Sequence, residues 1–279
     1  MGRRDLDIPI SLLKGLYTDR GLTAMEIAKK LDCTDVTILN HLRKNNIPTR
    51  TAGRKRFKYK KSPFNGNGIE KSYLLGFRIG DLNVYKPFPN SRILVVRCHT
   101  TLLDQVNLIK SLFTKYGHVT ISYSKKNSYN INCFLDNSFQ FLIEKKVVPD
   151  WINENISFGW SFMAGYIDAE ANFGLNQGRG RFKVDSYDYH VLYWMSNFLN
   201  DIGIRNKFRC IYKKGERLSK VQILSSDLWR ININFADDLE RFIEKILPYM
   251  LHSKRVKNAK IVLNNVIKRR WIRQQKNLK

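Results

Sequence analysis

The strongest constraint on this chain is that its larger part repeats itself. Residues 131–145 align without a gap on residues 231–245, at an offset of 100, and five of the fifteen positions are identical: Ile131/Ile231, Asn132/Asn232, Ile143/Ile243, Glu144/Glu244 and Lys145/Lys245. A second pair of similar segments, Leu74–Asp81 and Met163–Glu170, lies at an offset of 89. The order is kept and the offsets differ by eleven, which implies two copies of one unit with a net insertion in the second, placed near 214–226. Such a chain is expected to fold as two related halves.

Hydrophobic periodicity gives each copy the order helix, strand, strand, helix, strand, strand, helix. In the first copy, residues 92–100 alternate, with Leu94, Val96 and Cys98 on one face and Arg97 and His99 on the other. Helices are expected at 102–116 and 138–145, and strands at 119–123 and 129–134. In the second copy Phe182 and Val184 face inward between Arg181, Lys183 and Asp185. Phe208, Cys210 and Tyr212 face inward opposite Lys207, Arg209 and Lys213. Period-two alternation of this kind is the signature of antiparallel sheets with one packed face and one polar face. A polar face is ordinarily just solvated, but recurrence of Arg, Lys, Asn and His on the same face of two sheets also suits a surface that fills a nucleic-acid groove.

Charge bears on that choice. The chain carries 49 Lys and Arg against 24 Asp and Glu, a formal net charge of +25. A polyanion would relieve this self-repulsion and release counterions on binding; a ribosomal or membrane-surface protein has a similar balance. With 43% hydrophobic and 12% aromatic residues the chain can build a substantial core. Cys33, Cys98, Cys133 and Cys210 form no C-x-x-C pair and sit in apolar settings, which predicts small buried thiols rather than a zinc site. No apolar run reaches membrane-spanning length, and the start leads into no signal-peptide core, so the expectation is an intracellular, cytoplasmic protein with no membrane partner, nucleoid-associated in a prokaryote.

Three regions precede or make up the repeat: a short helical module over 1–49, a basic linker over 50–68, and the halves 69–155 and 156–279. The linker holds Arg54, Lys55 and Arg56 among seven cations and no acid over 50–61, and ends in Asn65-Gly66-Asn67-Gly68. In the module, Thr23 and Glu26 have capping-box spacing ahead of a short helix. Asp32-Cys33 suits a tight turn, because Asp tolerates the left-handed conformation. Thr34 is placed to cap a second helix whose Ile38 and Leu42 point back at Ile27 and Leu31. Residues 22–47 resemble the helix-turn-helix of bacterial regulators and resolvases, departing from it at Asp32, where that family usually has Gly. The resemblance implies a three-helix DNA-binding module with Asp35, Val36, Thr37, Asn40, His41 and Arg43 on the exposed face of the recognition helix, Asn suiting adenine and Arg suiting guanine or phosphate. A helical hairpin used only for packing fits the same pattern. The linker could track a minor groove or stay solvated.

The duplicated helices carry the chemistry. Gly76 and Gly80 are four apart, as are Gly165 and Ala169, so each helix has a row of small residues on one face that lets two backbones approach closely. An acid follows each row, Asp81 and Glu170. If the helices pack in parallel, the two carboxylates meet at one end of the seam, where their repulsion perturbs their ionisation or recruits a divalent cation. A lone acid of this kind would merely cap the next strand; two, each followed by matching elements, argue for a shared site.

Leu74–Leu82 and Met163–Ala171 resemble the two motifs of the LAGLIDADG homing endonucleases, the second closely (Ala164, Gly165, Ile167, Asp168, Ala169) and the first more loosely, with Ile79 where the pattern has Asp. The resemblance covers roughly residues 70–270. It implies an α+β fold in which two pseudo-symmetric αββαββα halves form a saddle of antiparallel sheets over double-stranded DNA. It also implies Asp81 and Glu170 as metal-binding catalytic acids, with the carbonyls of Gly80 and Ala169 as further metal ligands. Mg²⁺ is the implied cofactor, Mn²⁺ or Ca²⁺ substituting in binding. Outward residues Arg97, His99, Arg181, Lys183, Lys207 and Arg209 would contact DNA; family members place polar or basic residues around the metals, for which Lys126, Gln177 and Lys213 are candidates, generic phosphate contact being their other role. The implied activity is a double-strand break in a long, weakly palindromic intron-type target, made by a monomer with pseudo-two-fold symmetry. The same fold also serves intron-splicing maturases, with intron RNA as partner, and non-cleaving DNA-binding regulators. The basic stretch from Lys254 to Lys279, with ten cations and no acid, would add phosphate contacts.

Overall fold

The chain divides into two compact units, Met1–Lys58 and Tyr59–Lys279. A computed structural model of the chain describes residues 8–49, 59–124, 127–144, 147–217 and 223–277. The expectations for Arg54, Lys55, Arg56 and Lys126 fall outside the described residues.

The first unit is helical. Helix α1 (Ile10–Lys14) runs on through a wider turn over Gly15–Asp19, and α2 (Ala24–Lys30) and α3 (Asp35–Lys44) follow. The capping box forms as its spacing dictates: the Thr23 hydroxyl accepts the Glu26 N–H at 3.2 Å, and the Glu26 carboxylate accepts the Thr23 N–H at 2.7 Å. Thr34 caps α3 by accepting the Thr37 N–H at 3.2 Å. Asp32 turns the chain between the helices with φ of +49°, and its neighbour Cys33 donates its N–H to the Ala28 carbonyl at 3.0 Å. Leu13, Ile27, Ile38 and Leu42 close the small core. Leu31 and Cys33 are half-buried against it.

In the second unit, α4 (Gly68–Asp81) leads into β1 (Asn83–Tyr85), β2 (Ile93–Thr100), α5 (Leu103–Phe113), β3 (His118–Ser124) and β4 (Ser128–Asp136). After 3₁₀ turns at Asn137–Leu142 and Asp150–Glu154 the pattern repeats: α6 (Ile156–Glu170), β5 (Asn172–Asn176), β6 (Arg179–Ser186), α7 (Tyr189–Asp201), β7 (Lys207–Tyr212), β8 (Leu228–Ile233), α8 (Ala236–Ile246) and the long α9 (Ser253–Asn277). The sheets have equivalent orders, β1-β2-β4-β3 and β5-β6-β8-β7, with every pair antiparallel. Register locates the insertion. Ile121 and Phe208 hold equivalent places 87 apart, Ile131 and Ile231 hold equivalent places 100 apart, and the extra residues lie between β7 and β8. One continuous core joins both halves.

Three expectations are corrected. The first half does not end in an α-helix at 138–145 but in the 3₁₀ turn Asn137–Leu142. Two β-branched residues, Val147 and Val148, and then Pro149 follow, and these do not propagate a helix. Tyr212 is not inward: the β7–β8 register shifts between Cys210 and Tyr212, and the bulge turns the tyrosine outward to 39% exposure. Cys98 and Cys133 are buried thiols, but Cys33 and Cys210 are only half-buried. Among the described residues no helix is long and apolar enough to cross a membrane.

Candidate active site and nucleic-acid interface

Helix α6 reads Trp160-Ser161-Phe162-Met163-Ala164-Gly165-Tyr166-Ile167, apolar on nearly every side, and Gly159–Ala169 are all buried; a helix without a polar face belongs inside a protein. Its partner is α4, buried from Ser72 to Ile79. The small residues allow the contact. A Cβ on Gly76 would press on the Phe162 carbonyl and stand 2.9 Å from the Tyr166 nitrogen. A Cβ on Gly165 would press on the Tyr73 carbonyl and stand 2.8 Å from the Phe77 nitrogen. Backbone therefore meets backbone, and each glycine is required by close approach.

The helices then end together. A Cβ on Gly80 would overlap that of Ala169 and lie 3.1 Å from Glu170 Cγ and 3.5 Å from Glu170 Oε1. The Glu170 carboxylate thus lies against the backbone next to Asp81, and both acids are half-exposed after a long buried run. Asp81 Oδ2 accepts a hydrogen bond from Gln105 Nε2 at 2.7 Å. The Ala169 carbonyl accepts one from Arg255 Nη2 at 3.3 Å, which brings a cation of α9 to the same end of the seam.

The donor set bears on whether a metal fits. Among the described residues there is no cluster of three or more His, Cys, Asp and Glu. Two carboxylates from two helix ends are what Mg²⁺ needs from a protein when water and substrate phosphate complete its octahedron. Gly80 is required at that end by close approach, since any side chain would overlap the Ala169 Cβ. Asp81 and Glu170 are donors of the kind such an ion takes, whereas the Ala169 carbonyl already accepts from Arg255.

Asp168, two residues before Glu170, has a different part. It is buried, and its Oδ2 accepts from Tyr73 Oη at 2.7 Å and from the Leu251 and His252 N–H groups at 2.7 and 2.9 Å. Burial pushes its carboxyl up to about 6 against those hydrogen bonds. The residue pins α4 and the segment before α9 onto α6, and the lead into α9 is held again by a hydrogen bond from the Ser253 hydroxyl to Asp104.

The polar sheet faces carry the expected cations. In the first half Arg97 donates to Asn132 Oδ1 at 3.2 Å and to Tyr85 Oη at 3.3 Å, and His99 Nε2 is 2.8 Å from Ser128 Oγ. In the second half a cleft of about 350 Å³ is lined by Asn172, Asn176, Arg181, Lys183, Arg209, Arg230, Asn232 and Asn234. Sequence reasoning missed Arg230. It donates from Nε and Nη2 to Asp185 at 2.5 and 2.7 Å, and Lys183 Nζ reaches the same carboxylate at 2.9 Å. Burial pushes the Asp185 carboxyl up, but the bonds from Arg230 and Lys183 outweigh it and hold it below its ordinary value. The alternation Trp229-Arg230-Ile231 carries the signal, but only once β8 is placed beside β6. Lys207 is exposed at the start of β7. Gln177 sits with φ of +49° at the β5–β6 turn, where Asn265 and Arg269 of α9 both donate to the Gly178 carbonyl. Lys213 is paired with Asp227 at 3.1 Å.

In the first unit Asp35, Val36, Asn40 and Arg43 are exposed on α3, while Thr37 and His41 are half-buried. Asp35 Oδ1 accepts the Val36 N–H at 3.0 Å, and the Thr37 hydroxyl lies 2.9 Å from that of Thr34, so both also serve the helix start.

Residues 160–247 match the LAGLIDADG-like domain. No curated protein matches the chain in sequence. Among solved structures, I-DmoI in complex with DNA and Ca is 19% identical over 64% of this chain and 89% of its own, with a TM-score of 0.45. The homing endonuclease I-WcaI bound to its DNA recognition sequence is 13% identical over 75% of this chain and 93% of its own, with a TM-score of 0.47. Full-length DUF199/WhiA from Thermatoga maritima is 18% identical over 75% of this chain and 63% of its own, with a TM-score of 0.45. The match to the LAGLIDADG-like domain runs from within α6 to the end of α8, the second half of the repeat.

Proposed function

We propose that the chain is a metal-dependent DNA endonuclease that makes a double-strand break in a long, weakly palindromic duplex. The observation that carries this reading is the ending of α4 and α6: two duplicated helices in backbone contact, each finishing on a half-exposed acid, with Glu170 Oε1 3.5 Å from where a Gly80 side chain would begin. Asp81 and Glu170 would hold a divalent cation, which when bound supplies activation of water and neutralises charge on the leaving oxygen. The remaining work falls to the chain itself. The basic sheet faces bind backbone phosphate and base edges, Arg and Asn being suited to guanine and adenine. The tight seam fixes the spacing of the two acids. Arg255, at the Ala169 carbonyl, adds positive charge where phosphate would lie.

The two halves differ in their polar faces, which supports an asymmetric target. The first presents Arg97, His99, Asn130 and Asn132, and the second presents Arg181, Lys183, Arg209, Arg230 and Asn232. The chain would act as a monomer, because it contains both halves. The helical module of residues 8–49 would lengthen the footprint through Asn40, His41 and Arg43.

The experiment is selection of cleaved duplexes from a randomised DNA pool with Mg²⁺ present, repeated with Asp81→Asn and Glu170→Gln. The expected result is a unique cut sequence for the unaltered chain, with binding kept and cutting lost in both variants. Tight binding of one duplex without cutting would replace this reading with a regulator. Promotion of intron splicing without cutting would replace it with a maturase.

A further inference from the structure

The two acids stand in unequal surroundings, and the difference is built from buried, uncharged groups. Gln105, on the first turn of α5, is buried at 6% exposure, yet its amide is fully directed. The Thr100 hydroxyl oxygen accepts the Leu102 N–H at 3.1 Å, and its O–H donates to Gln105 Oε1 at 2.8 Å. Nε2 therefore faces the other way, donating to Asp81 Oδ2 at 2.7 Å and approaching Cys98 Sγ at 3.7 Å. Turning the amide over would set its oxygen against a carboxylate oxygen, so the relay has one stable orientation. It clamps one oxygen of the half-exposed Asp81 with a part-buried, charge-assisted bond.

The second half does not repeat the device. Cys98 pairs with Ile131 and Val184 pairs with Ile231, and this register puts Ser186 in the place of Thr100, Asp188 in that of Leu102 and Val191 in that of Gln105. Half the relay survives: Ser186 Oγ accepts the Asp188 N–H at 3.1 Å, matching the first half. From there the hydroxyl serves Tyr166 and Asp188, at 2.8 and 3.3 Å. Val191, 1% exposed, has no polar group to pass on toward Glu170.

We propose that Gln105 is a positioning residue for Asp81, so that the two halves are built to act unequally on the two DNA strands. This rests on the reading of Asp81 as a catalytic acid. Gln105 touches neither substrate nor metal; it fixes the orientation of the side chain that does.

The test compares the unaltered chain with Gln105→Met, which keeps shape and removes the amide, and with Thr100→Val, which removes the hydroxyl that aims it. Three readouts are taken: Mn²⁺ affinity by spin-resonance titration of the chain alone, binding of a selected duplex in chelator, and the rate of each nick in a supercoiled plasmid carrying that duplex. The expected result for Gln105→Met is Mn²⁺ affinity and one nick both reduced roughly tenfold to a hundredfold, the usual effect of removing a group that orients a metal-binding side chain. Duplex binding in chelator stays unchanged, and nicked circles accumulate. Thr100→Val shifts the same strand by a smaller factor, and carries the test if Gln105→Met does not fold. Equal slowing of both nicks with unchanged Mn²⁺ affinity overturns the proposal and leaves Gln105 a packing residue. An unaltered chain that neither binds Mn²⁺ nor cuts defeats the nuclease reading, and this inference with it. That failure is distinguishable because it appears before any substitution.

Discussion

Replacing Gly165 with Ala adds one methyl group at the tightest point of the fold. The new Cβ would press on the Tyr73 carbonyl and stand 2.8 Å from the Phe77 nitrogen and 3.0 Å from the Tyr73 carbonyl carbon. All three are backbone atoms of a buried helix, so no side chain can swing aside. Overpacking in a core costs about 1–3 kcal/mol when side chains yield. Here a whole helix must move and its contacts with the Phe162 and Tyr166 backbone must loosen, so the expectation is about 3 kcal/mol or somewhat more. In a unit of this size that lowers the melting temperature by roughly 6–12 °C. The same displacement separates the helix ends, so DNA cutting should fall further than DNA binding. Gly174→Ala is the control, since its Cβ meets only Asn172 Oδ1 at 3.4 Å, an ordinary contact. Thermal unfolding followed by circular dichroism gives the answer. If Gly165→Ala melts within about 2 °C of the unaltered chain, the backbone-to-backbone seam is not what holds the halves together.

Other expectations follow from the buried polar groups and the charge. Asp168 titrates at about 6 when folded, above its ordinary 3.8, so the folded chain keeps a proton that the unfolded chain releases between those values. Stability should fall by about 3 kcal/mol as pH rises from near 4 to near 6 and lose nothing more from this group above that. Asp168→Asn should flatten that part of the profile, and urea unfolding at several pH values measures the difference. Arg78, buried at 4% exposure, donates to the Leu82, Leu142 and Ile143 carbonyls, so Arg78→Leu strands buried acceptors and should cost about 3 kcal/mol, read as a shift in urea midpoint. DNA affinity should fall about 10³- to 10⁵-fold between 50 and 200 mM salt if some six to ten phosphates are contacted. A flat response in a filter-binding series would count against a phosphate-dominated interface.

Much of this molecule was legible before any coordinate. The duplication predicted two equivalent four-stranded sheets, because a repeat must bury the same apolar pattern twice. The capping box at Thr23 and the left-handed Asp32 were readable because both are local effects within a few residues. The small-residue rows gave the helix seam, since only glycine and alanine permit such approach. What escaped depended on register or on distant partners. Gln105 in a helix and Arg230 in a strand carry no sign of Asp81 or Asp185, which lie 24 and 45 residues away. Arg255 looked like one cation among the ten of a basic stretch, and its place at the Ala169 carbonyl follows from how Asp168 docks the segment before it. The short 3₁₀ turn ending the first half was masked by its likeness to α8, although Val147, Val148 and Pro149 were in plain view.

The central claim, that one carboxylate from each half serves a single joint site, is tested most directly by a double-mutant cycle on Asp81→Asn and Glu170→Gln, reading Mn²⁺ affinity and the rate of double-strand cutting. Groups that work as one unit give strongly non-additive losses. The account predicts that each single change removes nearly all activity and that the pair together does little further harm. Losses that simply multiply, as they do for independent and distant sites, would contradict it.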